Sequence, residues 1–238
     1  MLEDNGACED GIARFKSRFP KGGDYQKILY LAVLDNCEDY ARWLLEKFGP
    51  LDTELHINKK TRAILPQHIY FAGKIIITED FKFTGDIVAG RGIISKGGIE
   101  TLGDLGAGSL GICSNRGISA RSIDTGGAIK CEGRLKSSSW IRAGSGISAG
   151  LGIFAGDGIT SLNGNIHSGG GIRTWSSLYA RRGKIIANNE IQAYSVTAKG
   201  DISGRGGIQS QTFIRTSGEI LTGKNVGIYA GSSILRNN

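Results

Sequence analysis

Proline is scarce in this chain, three residues in 238, and cysteine numbers only four. Cys8, Cys37, Cys113 and Cys131 show neither zinc-site spacing nor a paired framework, which favours a reducing cytoplasm over an oxidising compartment. No apolar run approaches the length that spans a bilayer, and the acidic opening from Met1 to Asp10 lacks the apolar core of an export signal. Histidine is limited to His56, His68 and His167, none with an obvious carboxylate partner. The acids Glu100, Asp124, Glu132, Asp157 and Glu190 are scattered, whereas a glycan-cleaving enzyme gathers its carboxylates on one face. These gaps lead us to expect no catalytic residue, no metal ligand, no cofactor and no membrane partner.

Glycine, by contrast, is abundant at 38 residues, and a repeat orders it. From Ile87 an aliphatic residue recurs almost every six positions, through Ile93, Ile99, Leu105, Ile112, Ile118 and Ile123 to Ile220 and Val226. Two places after nearly every one stands Ala, Ser, Thr or Cys, so the unit reads I-x-[A/S/T]-x-G-x. The irregular steps carry the most information. From Leu105 and again from Leu178 they run seven, six and five, so each slip is corrected within eighteen residues. Three hexads therefore close one turn of a triangular coil. Residues two apart on a strand share a face, which sends each aliphatic and its small partner inward together, with Gly expected to supply bends at positive φ. The fold class this predicts is mostly β, a single-stranded parallel β-helix of about 18 residues per coil. Counting back through Phe81, Ile75 and Ile69 gives nine coils and a rod of roughly 40 Å at about 4.8 Å per coil.

Residues 1–68 read differently, as an N-terminal helical cap. A short helix is expected over 8–19, a second after the N-cap Asp24, and a third opened by Asp35 with Glu38 and stopped at Gly49–Pro50. Residues 51–68 suggest a short hairpin, with Leu55 and Ile57 on one arm and Ala63 to Leu65 on the other. Residues 69–238 then form the coil. Its first turn carries Phe71, Ile77 and Phe83 at the second inward positions, leaving an apolar end that the helices are expected to cover.

The units Gly85-Asp86-Ile87 and Gly200-Asp201-Ile202 resemble those of the bactofilin-type polymer-forming proteins, which implies a right-handed triangular coil, the hand generally preferred for parallel β connections. A weaker similarity links the hexads to hexapeptide-repeat acyltransferases. There the small residue precedes the aliphatic, and a long loop carries a catalytic His that this chain does not insert between 87 and 226. The helical segment departs from the bactofilin pattern, whose coil is flanked by flexible tails.

Two phosphate-binding look-alikes, Gly144-Ser145-Gly146-Ile147-Ser148-Ala149 and the run from Gly218 to Asn225, lack a following helix and read as repeat glycines. Charge is uneven. Residues 1–84 hold 12 basic and 13 acidic side chains, and residues 85–238 hold 17 and 9, so the coil carries the whole excess behind the net charge of +7. That favours acidic partners, either a protein or nucleoprotein or nucleic acid itself. Sorting the coil by side gathers aromatics where the third side meets the next first side. These are Trp140, Trp175, Tyr194 and Phe213, with Tyr179 and Phe154 on the adjoining sides and Arg121, Arg142, Arg173 and Arg215 among them. Trp, Tyr and Arg together are the composition of a binding hot spot. The sequence therefore predicts a non-enzymatic interaction module, such as an inhibitor carried by a phage or mobile element. The alternatives are a self-assembling, homo-oligomeric scaffold and a hexapeptide-type acyltransferase.

Overall fold

In a computed structural model, residues 9–62 and 65–236 are described, together with Gly6. The aliphatic ladder builds three parallel sheets of ten, ten and nine strands, each strand paired with those one coil before and after. Successive coils match in register, as in Ile123 with Ile141 and Ile141 with Ile159. The result is a single-stranded parallel β-solenoid of about ten coils with an 18-residue repeat. The ladder residues from Ile69 to Ile214 are buried in one continuous column, and each buried Ile contributes about 1.5–3 kcal/mol.

The small inward residues include hydroxyls beside the methyls for a physical reason. An inward Ser or Thr donates its hydroxyl to a corner carbonyl of the preceding coil and accepts the N–H two residues ahead. Ser168 donates to Leu151 O at 2.8 Å and accepts from Gly170, and Thr216 donates to Gly200 O at 2.6 Å and accepts from Gly218. A buried hydroxyl thus satisfies corner backbone that would otherwise be stranded. Cys131 occupies the same inward position, and burial pushes its thiol pKa up to about 12. On the neighbouring strand Cys113 points outward, so the two thiols remain free.

The glycines serve a purpose other than the one expected. Positive φ occurs in the coil at Gly111 and Gly207 among the described glycines. Elsewhere the constraint is closeness: a Cβ on Gly144 would lie 2.1 Å from the carbonyl oxygen of Gly126 in the coil before it. The triangular corners stack backbone on backbone, leaving no room for a side chain.

Among the described residues four helices precede or interrupt the first coil: α1 (Glu9–Arg18), α2 (Tyr25–Leu34), α3 (Glu38–Phe48) and the single turn α4 (Lys59–Arg62). Asp24 caps α2 by accepting from Lys27 N–H at 2.8 Å. Asp35 does not open α3 as the capping pattern predicted. It ends α2 and pairs with Arg18, while Cys37 precedes α3 without a side-chain cap. The expected hairpin does not form among the described residues. Its first arm is strand β1 (Glu54–Ile57), which pairs in parallel with β3 (Lys74–Ile77) and so extends the second sheet. The second arm falls partly outside the described residues, and α4 takes the place of the turn.

The helices cover a different surface from the one expected. Their apolar faces, with Leu29, Ala32, Ala41 and Leu44, pack with Tyr70, Ala72 and Val88. Tyr70 and Val88 are the outward residues of the first two strands of the first sheet, beginning with β2 (Ile69–Phe71). The lid therefore lies on the flank of the coil, and Phe71 and Phe83 stay half-buried at its end. Gln26 completes the joint: its amide donates to Tyr70 O at 2.9 Å and accepts from Ala72 N–H at 2.8 Å. One side chain thereby closes the free edge of β2 as a neighbouring strand would.

At the other end the ladder position after Ile220 is Ile228 rather than Val226, since Ile208 pairs with Ile228. Two extra residues in the corner, which includes Asn225 at φ 62°, carry Val226 out of register.

Candidate functional site

The solenoid brings the aromatic residues to a common edge. Trp175 and Tyr194 are each the first residue after paired third-sheet strands, Ile172–Thr174 and Ile191–Ala193. Trp140 immediately precedes the first-sheet strand Ile141–Ala143, and Phe213 opens the strand Phe213–Thr216 of the same sheet. Trp140, Trp175 and Tyr194 keep 47%, 64% and 49% of their surface exposed. Phe154 on the third sheet and Tyr179 on the first are half-buried outward residues, and Phe213 is half-buried too.

The arginines behave differently from a row of free cations. Arg121 grips Asp104 with two bonds of 2.8 and 2.7 Å, Arg142 meets Asp124 at 2.9 Å, and Arg173 meets Glu190 at 3.0 Å. Arg173 thus leans toward the second-to-third edge, away from Trp175 at the far end of its strand. The guanidinium of Arg215 lies over the Phe213 ring at 5.4 Å. Sequence sorting places these residues on the right sides of the triangle. It does not show the 17- and 18-residue offsets that bring the carboxylates beside them.

Arg121 belongs to a second constellation that sequence reasoning missed. Asp86 and Asp104 stack in one corner of successive coils, and Asp86 Oδ1 accepts Asp104 N–H at 2.8 Å. Tyr70 donates its hydroxyl to Asp86 at 3.0 Å, and Arg42 of α3 donates to that hydroxyl at 3.3 Å while lying 3.7 Å from Asp104. His68 accepts Asp86 N–H through Nδ1 and sits 3.6 Å from Glu38. Hydrogen bonding from Arg121 holds the Asp104 carboxyl below its ordinary range and Arg121 above its own, and burial raises the Tyr70 phenol. Chemically this network is a clasp between helix and coil. The signal that points to it is the pair Gly85-Asp86 and Gly103-Asp104, eighteen residues apart.

His56 stands by Glu54 at 3.1 Å on β1, and His167 is exposed on the second sheet with Ser148 and Ile186 as register neighbours. Among the described residues no three of His, Cys, Asp and Glu are grouped to hold a metal ion, and no helix is long and apolar enough to cross a membrane. No protein-family model matches the chain, and neither does any curated protein or solved structure.

Proposed function

We propose that the protein is a non-enzymatic interaction module that presents the aromatic edge between its third and first sheets to an acidic protein or nucleoprotein. The observation that carries this reading is the alignment of Trp140, Trp175 and Tyr194, half or more exposed, along one edge of a rigid rod. Large aromatics left in water at a fixed spacing are the anchors that interfaces use. The coil satisfies its own corners through backbone bonds, so its stability does not require them. Capture of a partner from native lysate tests the reading. Trp140→Ala with Trp175→Ala should weaken capture at least about tenfold with an unchanged melting temperature. Leu110→Ala, an exposed apolar residue on another edge, should leave capture intact. A double tryptophan variant that captures normally but melts early would assign these residues to edge packing instead.

A bactofilin-type scaffold is the second reading, supported by the 18-residue triangular coil whose strands all pair between coils. Filaments that grow with protein concentration, seen by electron microscopy, would favour it over the binder.

A further inference from the structure

Tyr179 stands on the open face of the first sheet, between an aromatic row and a row of cations. Beyond the helical layer this face shows the outward residues Arg142, Thr160, Tyr179, Thr197 and Arg215 in consecutive register. Along one side runs the edge with Trp175 and Tyr194. Along the other, in the same coils, the chain turns toward the second sheet through Arg181, Arg182 and Lys184, and one coil later through Lys199. All four cations are exposed. Lys184 pairs with Asp201 at 2.7 Å and Arg182 donates to Asn163 at 3.2 Å. Among the described residues, Arg181, Arg182 and Lys199 have no carboxylate within ion-pair distance.

The coil does not need this corner to be so large. The step from Leu178 to Ile185 is seven residues, as is that from Ile159 to Ile166 in the coil before, so two adjacent corners each hold one residue beyond the six-residue norm. The extra length carries the Arg181–Arg182 pair and, beside it, Asn163 and Asn165. Among the described residues, Arg181 and Lys199 thus stand clear of carboxylates at this bulging corner, as Arg134, Lys136 and Arg205 do elsewhere on the coil, while Arg121, Arg142 and Arg173 of the aromatic edge are neutralised by carboxylates within the chain.

We infer that this strip binds single-stranded nucleic acid, with bases against Trp175, Tyr179 and Tyr194 and phosphates along Arg181, Arg182 and Lys199. The inference rests on the aromatic edge being the binding surface and takes the nucleic-acid part of a nucleoprotein as what that surface meets. Single strands offer an unpaired base face and a charged backbone side by side, which is the division this strip presents. Tyr179 lies two residues from Arg181, about 7 Å along the strand, within the span of one nucleotide and the reach of an arginine. Duplexes bury their base faces and leave exposed aromatics without a role. An acidic protein surface supplies carboxylates without the stacking face that a single strand repeats at every nucleotide.

Fluorescence anisotropy with labelled 20-nucleotide RNA and DNA single strands, the matching duplex and heparin as competitor tests this. Both single strands should bind more tightly than the duplex and quench tryptophan emission. Trp175→Ala should weaken binding about tenfold or more without lowering the melting temperature. Arg181→Gln with Arg182→Gln should reduce the slope of log affinity against log salt by about 1.4, at about 0.7 per phosphate contact. A preference for RNA would indicate recognition of the 2′-hydroxyl, and equal affinity would indicate stacking and phosphate contact alone; either supports the inference. Absence of oligonucleotide binding would overturn it, as would equal binding of duplex and heparin with no effect of Trp175→Ala. If oligonucleotides fail to bind while the Trp140 and Trp175 variant still loses a protein partner, the inference falls and the interaction module stands.

Discussion

Ile147 and Ser148 are neighbours with opposite fates, which makes them a sharp test of register. Ile147 is buried in the central column and Ser148 faces out from the second sheet. Ile147→Asp places a carboxylate among stacked isoleucines and should cost several kcal/mol, read as loss of the cooperative melt. Ser148→Asp should change stability by about 0.5 kcal/mol or less. Asp104 gives a pH-dependent counterpart. Its folded pKa is depressed, chiefly by the hydrogen bond from Arg121, so its stabilising contribution is present above the unfolded value near 3.9. That contribution disappears as pH falls through the folded pKa. Asp104→Asn should therefore destabilise the protein at pH 7 and flatten the acid limb of its stability curve below about pH 4. A variant whose acid limb matches the wild type would show the clasp to be energetically idle.

At the scale of elements, the free edge of β2 depends on Gln26. Replacing it with Ala strands Ala72 N–H, whose residue is fully buried, and Tyr70 C=O. Unsatisfied groups of this kind cost about 1–3 kcal/mol. Gln26→Ala should accordingly lower the denaturation midpoint and raise light scattering as exposed edges pair between molecules. The coil was legible because its periodicity is a direct image of packing: one large and one small inward residue per strand, repeated without exception from Ile87 to Ile214. The helices were legible as elements, but their docking surface was not, because Tyr70 and Val88 look like any outward residues until α2 and α3 lie on them. Leu55 and Ile57 look the same on a hairpin arm as on a strand that extends a sheet. The aromatic edge could be sorted from the repeat alone. The pairing of Arg121, Arg142 and Arg173 could not, since it depends on side-chain direction across coils. The Arg181–Arg182 bulge was visible only as a seven-residue step, and nothing in the spacing says which corner residues stay unpaired.

For the whole molecule, the eighteen-residue repeat means that each coil contacts chiefly its two neighbours, so stability accumulates coil by coil. Removing residues 141–158 takes out one full turn and joins Trp140 to Ile159, which already occupies the register position of Ile141. That shortened chain should keep its β circular dichroism and melt cooperatively at a lower temperature. Removal of residues 141–155 leaves the ladder three residues out of step and should abolish the transition. The same architecture has a mechanical side. Every hydrogen bond that joins one coil to the next runs along the rod axis, in all three sheets. Tension applied between the two ends therefore loads these bonds like a zipper, one coil at a time, while a sideways push is shared among all of them. Drawn out in an optical trap, the rod should lengthen in regular increments of about 6 nm, the extended length of eighteen residues. The protein is thus stiff against bending and soft against peeling, and a tethered copy would pay out under load as a stepwise tether.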